Sequence, residues 1–253
     1  MQQIITRAGE YVDAIRINSI ERIPRDGVVW LRKQRQPASR VLIPVANRFF
    51  RLAGNPVQIL QGAEWQRWEA DCFARLHGGE GFQAVAEGNS SVSMEMPGTD
   101  LSTLLRQEAL ALEMLGAAGA ELRRAHALPC PTFAGPWSHG DPHLGNFIFE
   151  RESGRARLMD FEVRHHLSLG ADERHADDLL VLLQDLIGRV KPESWLPSAT
   201  AFLRGYDRPA VVSLLKPNLA LPGGIARIWW AVRTTYLASR ELRQRLEALR
   251  QTL

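Results

Sequence analysis

His139-Gly140-Asp141-Pro142-His143-Leu144-Gly145-Asn146 and, 14 residues beyond that asparagine, Asp160-Phe161-Glu162 hold most of the readable chemistry in this 253-residue chain. Phe147–Glu150 and Ala156–Met159 read as two strands joined by a turn at Glu152-Ser153-Gly154. A hairpin centred on Ser153 sets Asn146 opposite Asp160, and directly paired residues lie about 4.5–5.5 Å apart. Asp141 stands just upstream, in a loop kept compact by Pro142 and Gly145. Two carboxylates and an amide oxygen then converge, the all-oxygen surroundings that Mg2+ takes. A zinc site of His139, Asp141 and His143, with His165 or His166, is the competing metal reading. Structural zinc sites are more often closed and cysteine-rich.

On either side of this region the chain changes character. Residues 1–96 read as strand-rich, with runs at Ala14–Ile20 and Val28–Arg32 around the turn Pro24–Gly27 and a hairpin of Gln83–Glu87 with Val92–Met96. Between them Glu64–Leu76 has helical spacing, with Trp65, Trp68, Cys72, Phe73 and Leu76 on one face. From 97 to 253 the pattern is mainly helical. Asp100 caps a short helix at Leu101–Arg106, Glu108–Ala127 is longer, and the stretch from His175 to the C-terminus is mostly helix. The expected fold is α+β in two lobes, 1–96 small and β-rich, 97–253 larger and helical, hinged near Met94–Gly98.

Composition narrows the class. An apolar share of 45% and a charged share of 23% exclude a disordered chain. No apolar run approaches the roughly 18–20 residues of a membrane span. Arg7 and Glu10 stand where a secretory leader carries its apolar run, and Cys72 and Cys130 give no disulfide framework, so the expected compartment is the cytoplasm. A net charge of +3 is too small to point to nucleic acid. Of 31 basic residues only Lys33, Lys191 and Lys216 are lysines, and Lys33 alone falls in the first 190 positions.

The loop HGDPHLGN and the following DFE resemble the catalytic core of protein-kinase-like phosphotransferases, nearest the aminoglycoside phosphotransferase and choline kinase branch. The resemblance implies a two-lobed kinase-like fold and transfer of the ATP γ-phosphoryl group to a hydroxyl. It makes Asp141 and His143 the catalytic residues, Asp141 taking or orienting the hydroxyl proton and His143 standing where protein Ser/Thr kinases commonly carry lysine. Asn146 and Asp160 would hold Mg2+, and His139 would brace the loop. Glu162 replaces the glycine of the protein-kinase DFG, which weighs against a protein Ser/Thr substrate. The segment SVSMEMPGTDLSTLL is similar to the family's hinge, so main-chain groups of Glu95 and Met96 would meet the adenine beside Met94. The LRRAH ending of one helix and Asp178 near the start of a later one also match, Asp178 as an anchor of the loop.

Such a fold needs a lysine for the phosphates and a glutamate to hold it. Lys33 ends the run Val28–Arg32, and Glu69 sits among Trp65, Cys72 and Phe73 on an apolar helix face, where a carboxylate is costly without a cation. The expectation is a Lys33–Glu69 pair, with Arg32 the rival if the register slips by one. A glutamate at the edge of the face, solvated or bound to an arginine, is the plainer reading. Two departures stand out: no G-x-G-x-x-G precedes Lys33, and 36 residues separate Lys33 from Glu69. The cover over the phosphates would fall around Asn18–Gly27. The missing glycine loop also fits a pseudokinase that binds without turnover. Within Gly27–Ala63 there is no acid, while Arg32, Lys33, Arg35, Arg40, Arg48 and Arg51 are basic. This insertion, 32–51, fits an anionic acceptor and is loosely reminiscent of bacterial lipopolysaccharide-core sugar kinases; a solvated basic face explains it equally. The expected acceptor is a small molecule or a glycan- or lipid-linked sugar, shaped in part by Trp195–Trp230.

Overall fold

The computed structural model describes residues 17–253. Arg7, Gly9, Glu10 and the first part of the run Ala14–Ile20 lie outside the described residues. The architecture is α+β with small antiparallel sheets, and the chain divides into two units. Among the described residues the first comprises 17–96 together with Asp160–Arg164, and the second comprises Pro97–Met159 and His165–Leu253. The Asp-Phe-Glu segment therefore packs with the first unit, although the boundary read from sequence assigns it to the second.

In the first unit, β1 (Asn18–Arg25) and β2 (Val28–Arg35) form a hairpin whose end pair is Arg25–Val28. Its two-residue turn, Asp26-Gly27, has φ of 52° and 77°, a type I′ geometry that matches the twist of the strands. After α1 (Ser39–Leu52), β3 (Val57–Ile59) and α2 (Gly62–His77), the hairpin of β4 (Ala84–Glu87) and β5 (Ser90–Met94) completes a sheet in the order β1-β2-β5-β4. Trp65, Trp68, Cys72, Phe73 and Leu76 of α2 are all buried, as the helical spacing requires. Sequence patterning did not reveal α1. Pro44 and the lack of acids disguise it, yet Ile43 and Phe50 bury one face and the Asn47 amide bonds both main-chain groups of Ile59. Arg40, Arg48 and Arg51 are exposed on it, whereas Lys33 and Arg35 point inward from β2. The basic stretch is thus two separate features.

In the second unit, β6 (Thr99–Asp100) pairs with β7 (Phe147–Glu150), which pairs with β8 (Arg155–Leu158). Asp100 caps α3 (Leu101–Arg106), accepting the Thr103 amide at 2.8 Å. The next helix, α4 (Leu112–His126), begins four residues later than its apolar pattern implies, because Glu108 adopts a left-handed φ of 55°. Then follow α5 (Ala171–Arg189), α6 (Pro192–Tyr206), α7 (Pro209–Asn218), α8 (Gly224–Arg233) and α9 (Ser239–Thr252). Glycines set the approach of α4 to α6. A Cβ on Gly205 would stand 2.0 Å from the Gly116 carbonyl oxygen, and one on Gly119 would stand 2.1 Å from that of Phe202. Leu115, Ala118, Leu122 and Ala125 form the buried stripe of α4, with Phe202 and Tyr206 buried on α6. Among the described residues no helix is long and apolar enough to cross a membrane.

Candidate active site

In the first unit, side chains two apart on a strand share a face, so Lys33 and Arg35 both turn toward α2. Arg35 lies 4.5 Å and Lys33 5.9 Å from the ring centre of the fully buried Trp65. Lys33 Nζ is 3.1 Å from Glu69 Oε1, makes a close ion pair with Asp160 Oδ1, and is 3.7 Å from Glu162 Oε2. The Trp65 indole N–H donates to Glu69 Oε2 at 2.6 Å, fixing the carboxylate one turn along its own helix. Glu162 Oε2 accepts from Asn18 and from Arg35, both at 2.7 Å. Arg32 lies on the other face of β2 beside Glu21, so the lysine register is the one that reaches Glu69.

Three carboxylates thus surround two cations. The ammonium of Lys33 would be discouraged by burial, but Asp160, Glu162 and Glu69 outweigh that and raise its pKa far above the usual lysine range. The Glu69 carboxyl is pushed up to about 7, first by burial and then by Asp160 and Glu162, with Lys33 partly offsetting them. A raised carboxyl holds its proton in the folded protein after the unfolded chain has lost it. Its contribution to stability is therefore full below the unfolded value near 4.5 and falls as pH rises toward 7. Urea unfolding between pH 4.5 and 7.5 is expected to show this decline in the wild type. Glu69→Gln should flatten it, and an unchanged slope in that variant would assign the decline elsewhere.

The surplus negative charge suits a divalent cation. Asp160 is the most accessible of the three carboxylates, 30% exposed against 19% for Glu162 and 12% for Glu69, and it holds a left-handed φ of 66°. Among the described residues no three His, Cys, Asp or Glu side chains are grouped to hold a metal by themselves. This removes the histidine zinc reading: His139, His143 and His165 are each bonded within the fold instead. Mg2+, by contrast, needs only one or two protein oxygens, with phosphates and water completing its shell.

In the second unit the loop 139–146 is held from beneath by α5. Seven residues apart on a helix share a face, and Asp178 and Asp185 use this to take the loop's amides. Asp178 accepts from the N–H groups of His139 (2.8 Å) and Gly140 (2.7 Å), and Asp185 from that of Leu144 (3.0 Å). Burial alone would raise the Asp178 carboxyl, but His165, His126 and His139 hold it well below the usual carboxylate range. His126 bridges Asp178 and the Tyr206 hydroxyl at 2.9 and 2.8 Å and stacks on His175 with ring centres 3.9 Å apart. Burial pushes both rings down, His175 to about 3, while the bond to Asp178 works against that shift at His126.

Within the loop, His139 Nε2 meets the Met159 carbonyl at 3.1 Å while its Nδ1 accepts the Asp141 amide. His143 Nδ1 accepts the Gly145 amide at 3.0 Å, and a Cβ on Gly145 would crowd that ring at 2.9 Å. Through that nitrogen His143 braces the loop. The Asn146 amide donates to the Asp141 carbonyl at 2.9 Å, which leaves its oxygen as the atom able to ligate a cation. The hairpin register differs from the expectation by one residue. The turn has four residues, Arg151–Gly154, with Gly154 left-handed, so Leu158 pairs with Phe147 and the Met159 amide bonds the Asn146 carbonyl. Met159, not Asp160, is opposite Asn146.

Two further expectations change in detail. The Glu95 N–H already donates to the Val29 carbonyl at 2.9 Å, so only its carbonyl could serve an adenine; its side chain pairs with Arg22, and Met96 is buried. The stretch suggested as the phosphate cover is strand β1 and a two-residue turn, with no flexible glycine loop. Sequence reasoning missed Arg35, whose spacing from Lys33 was the available signal, and Asp185, whose signal was its spacing from Asp178. It also missed Arg233, which has none: its Nη2 stands 2.9 Å from Asp141 Oδ1.

No family model matches the sequence, and no curated protein matches it. Among solved structures, the complex of Rv3197 with erythromycin from Mycobacterium tuberculosis is similar with a TM-score of 0.39 and 16% identity, over 93% of this chain and 70% of that one. That degree of likeness assigns neither family nor ligand.

Proposed function

We propose that the protein is an ATP- and Mg2+-dependent phosphotransferase acting on a hydroxyl of a small molecule or of a glycan- or lipid-linked sugar, with lipopolysaccharide-core sugars among the candidates. The observation that carries this reading is the buried Lys33 gripped by Glu69 and Asp160, since an ammonium so encircled is a phosphate contact held ready. Glu69, fixed by Trp65, aims Lys33 at the α- and β-phosphates. Asp160 and the Asn146 oxygen would take Mg2+, which supplies neutralisation of charge on the phosphates. Asp141 orients the acceptor hydroxyl and receives its proton as the oxygen bonds the γ-phosphorus and the bond to the β–γ bridging oxygen breaks. Catalysis rests on positioning and electrostatics. A binding module of the pseudokinase kind is the second reading, favoured by the two-residue turn where a glycine-rich cover would stand.

Phosphate release from ATP, with water as a poor acceptor, separates the two. Slow Mg2+-dependent release is expected in the wild type, reduced roughly 10²–10⁴-fold in Asp141→Asn. Release that survives Asp141→Asn undiminished would remove Asp141 from its role, and none in the wild type leaves the binding module.

A further inference from the structure

Arg233 ends α8 against the candidate base. The pair with Asp141 is close, yet neither Asp141 Oδ1 nor Arg233 Nε, both shut off from solvent, has an aligned hydrogen-bond partner. The guanidinium is 11% exposed and stacks over Trp229, 4.6 Å from the ring centre. Its position is built in. Thr234 is fully buried, with its hydroxyl on the Trp230 carbonyl at 2.8 Å, and its main chain lies so close to Gly188 of α5 that a Cβ there would come within 2.5 Å. Thr235 and Tyr236 then turn the chain with φ of 51° and 56°. Two successive non-glycine residues in the left-handed region, one of them β-branched, are strained, and such strain survives where the fold over-determines it.

A guanidinium fixed beside a base selects among acceptors. It repels an ammonium and draws a carboxylate or phosphate, to which its planar fork can donate two parallel hydrogen bonds. The misaligned contact with Asp141 offers it less. We propose that Arg233 is the anion site of the acceptor, so that the substrate is a hydroxyl compound carrying a phosphate or carboxylate near the reacting oxygen. The identity of that oxygen rests on the phosphotransferase reading; the anion site rests on the surroundings of Arg233.

Calorimetric titration without nucleotide tests it, using glycerol 3-phosphate, glycerate and ethanolamine. At least one of the two anions should bind the wild type, and which one does distinguishes phosphate from carboxylate. That affinity should fall tenfold or more in Arg233→Ala, less in Arg233→Lys, and rise several-fold in Asp141→Asn, where no competing carboxylate remains. A role of Arg233 confined to folding would not give the gain in Asp141→Asn. Equal anion binding with and without Arg233, no binding of either anion to the wild type, or ethanolamine bound more tightly than both would overturn the proposal. ATP hydrolysis by the same wild-type sample keeps the two claims apart. Turnover without anion binding removes only the anion site, and anion binding without turnover removes only the phosphotransferase.

Discussion

Lys33→Met should abolish measurable nucleotide binding and destabilise the protein by about 3–5 kcal/mol, the usual cost of stripping one partner from a buried ion pair. Glu69 would lose the ammonium that partly offsets its burial, while Glu162 would keep Asn18 and Arg35. The loss should shrink on acidification, because Glu69 can then take a proton: urea unfolding at pH 5.5 should find the variant nearer the wild type than at pH 8. Lys33→Arg keeps the charge but must fit a planar fork into a space that holds a single nitrogen among three carboxylates, so it should regain stability more than binding. Wild-type stability in Lys33→Met at pH 8 would mean that the cluster is not the buried electrostatic unit described above.

The second large effect is expected at Asp178. Asp178→Ala leaves the amides of His139 and Gly140 and the His126 ring nitrogen without their acceptor. At about 1–3 kcal/mol for each of the three buried donors left unmade, the total is roughly 3–9 kcal/mol. Amide hydrogen exchange at His139 and Gly140 should accelerate far more than exchange in α4. Asp178→Asn keeps one accepting oxygen and should fall between. The sign with pH is opposite to that of Glu69. A depressed carboxyl stabilises the fold above its unfolded value near 3.8 and loses that contribution as pH falls through its lower folded value. Wild type and Asp178→Asn should therefore converge in stability in strong acid. If the two loop amides keep their protection in Asp178→Ala, the loop is anchored by something other than α5.

Much of this was legible because the costly choices are local. A lone lysine on a β-branched run and a glutamate among tryptophans are each expensive unless they meet, and they do meet. The α2 face, the Asp100 cap and the hairpin after Asn146 follow from period and turn chemistry in the same way. What failed depended on backbone conformations that composition does not encode. A four-residue turn in place of a three-residue one shifts the register and moves Asp160 out of line with Asn146. A left-handed Glu108 delays α4. The helix α1 hides behind Pro44, because its exposed basic side and short apolar side blur the period. Arg233 was beyond reach for a different reason. Its meeting with Asp141 links positions far apart in the chain and depends on Gly188 admitting Thr234.

Titrating ATP into the wild type and Asp160→Asn, each in Mg2+ and again in EDTA, decides whether the Lys33 cluster serves a metal-bound nucleotide. Binding to the wild type should be saturable, require Mg2+ and weaken tenfold or more when Asp160 loses its charge. No binding to the wild type, or binding equal in EDTA and indifferent to Asp160, would contradict that role.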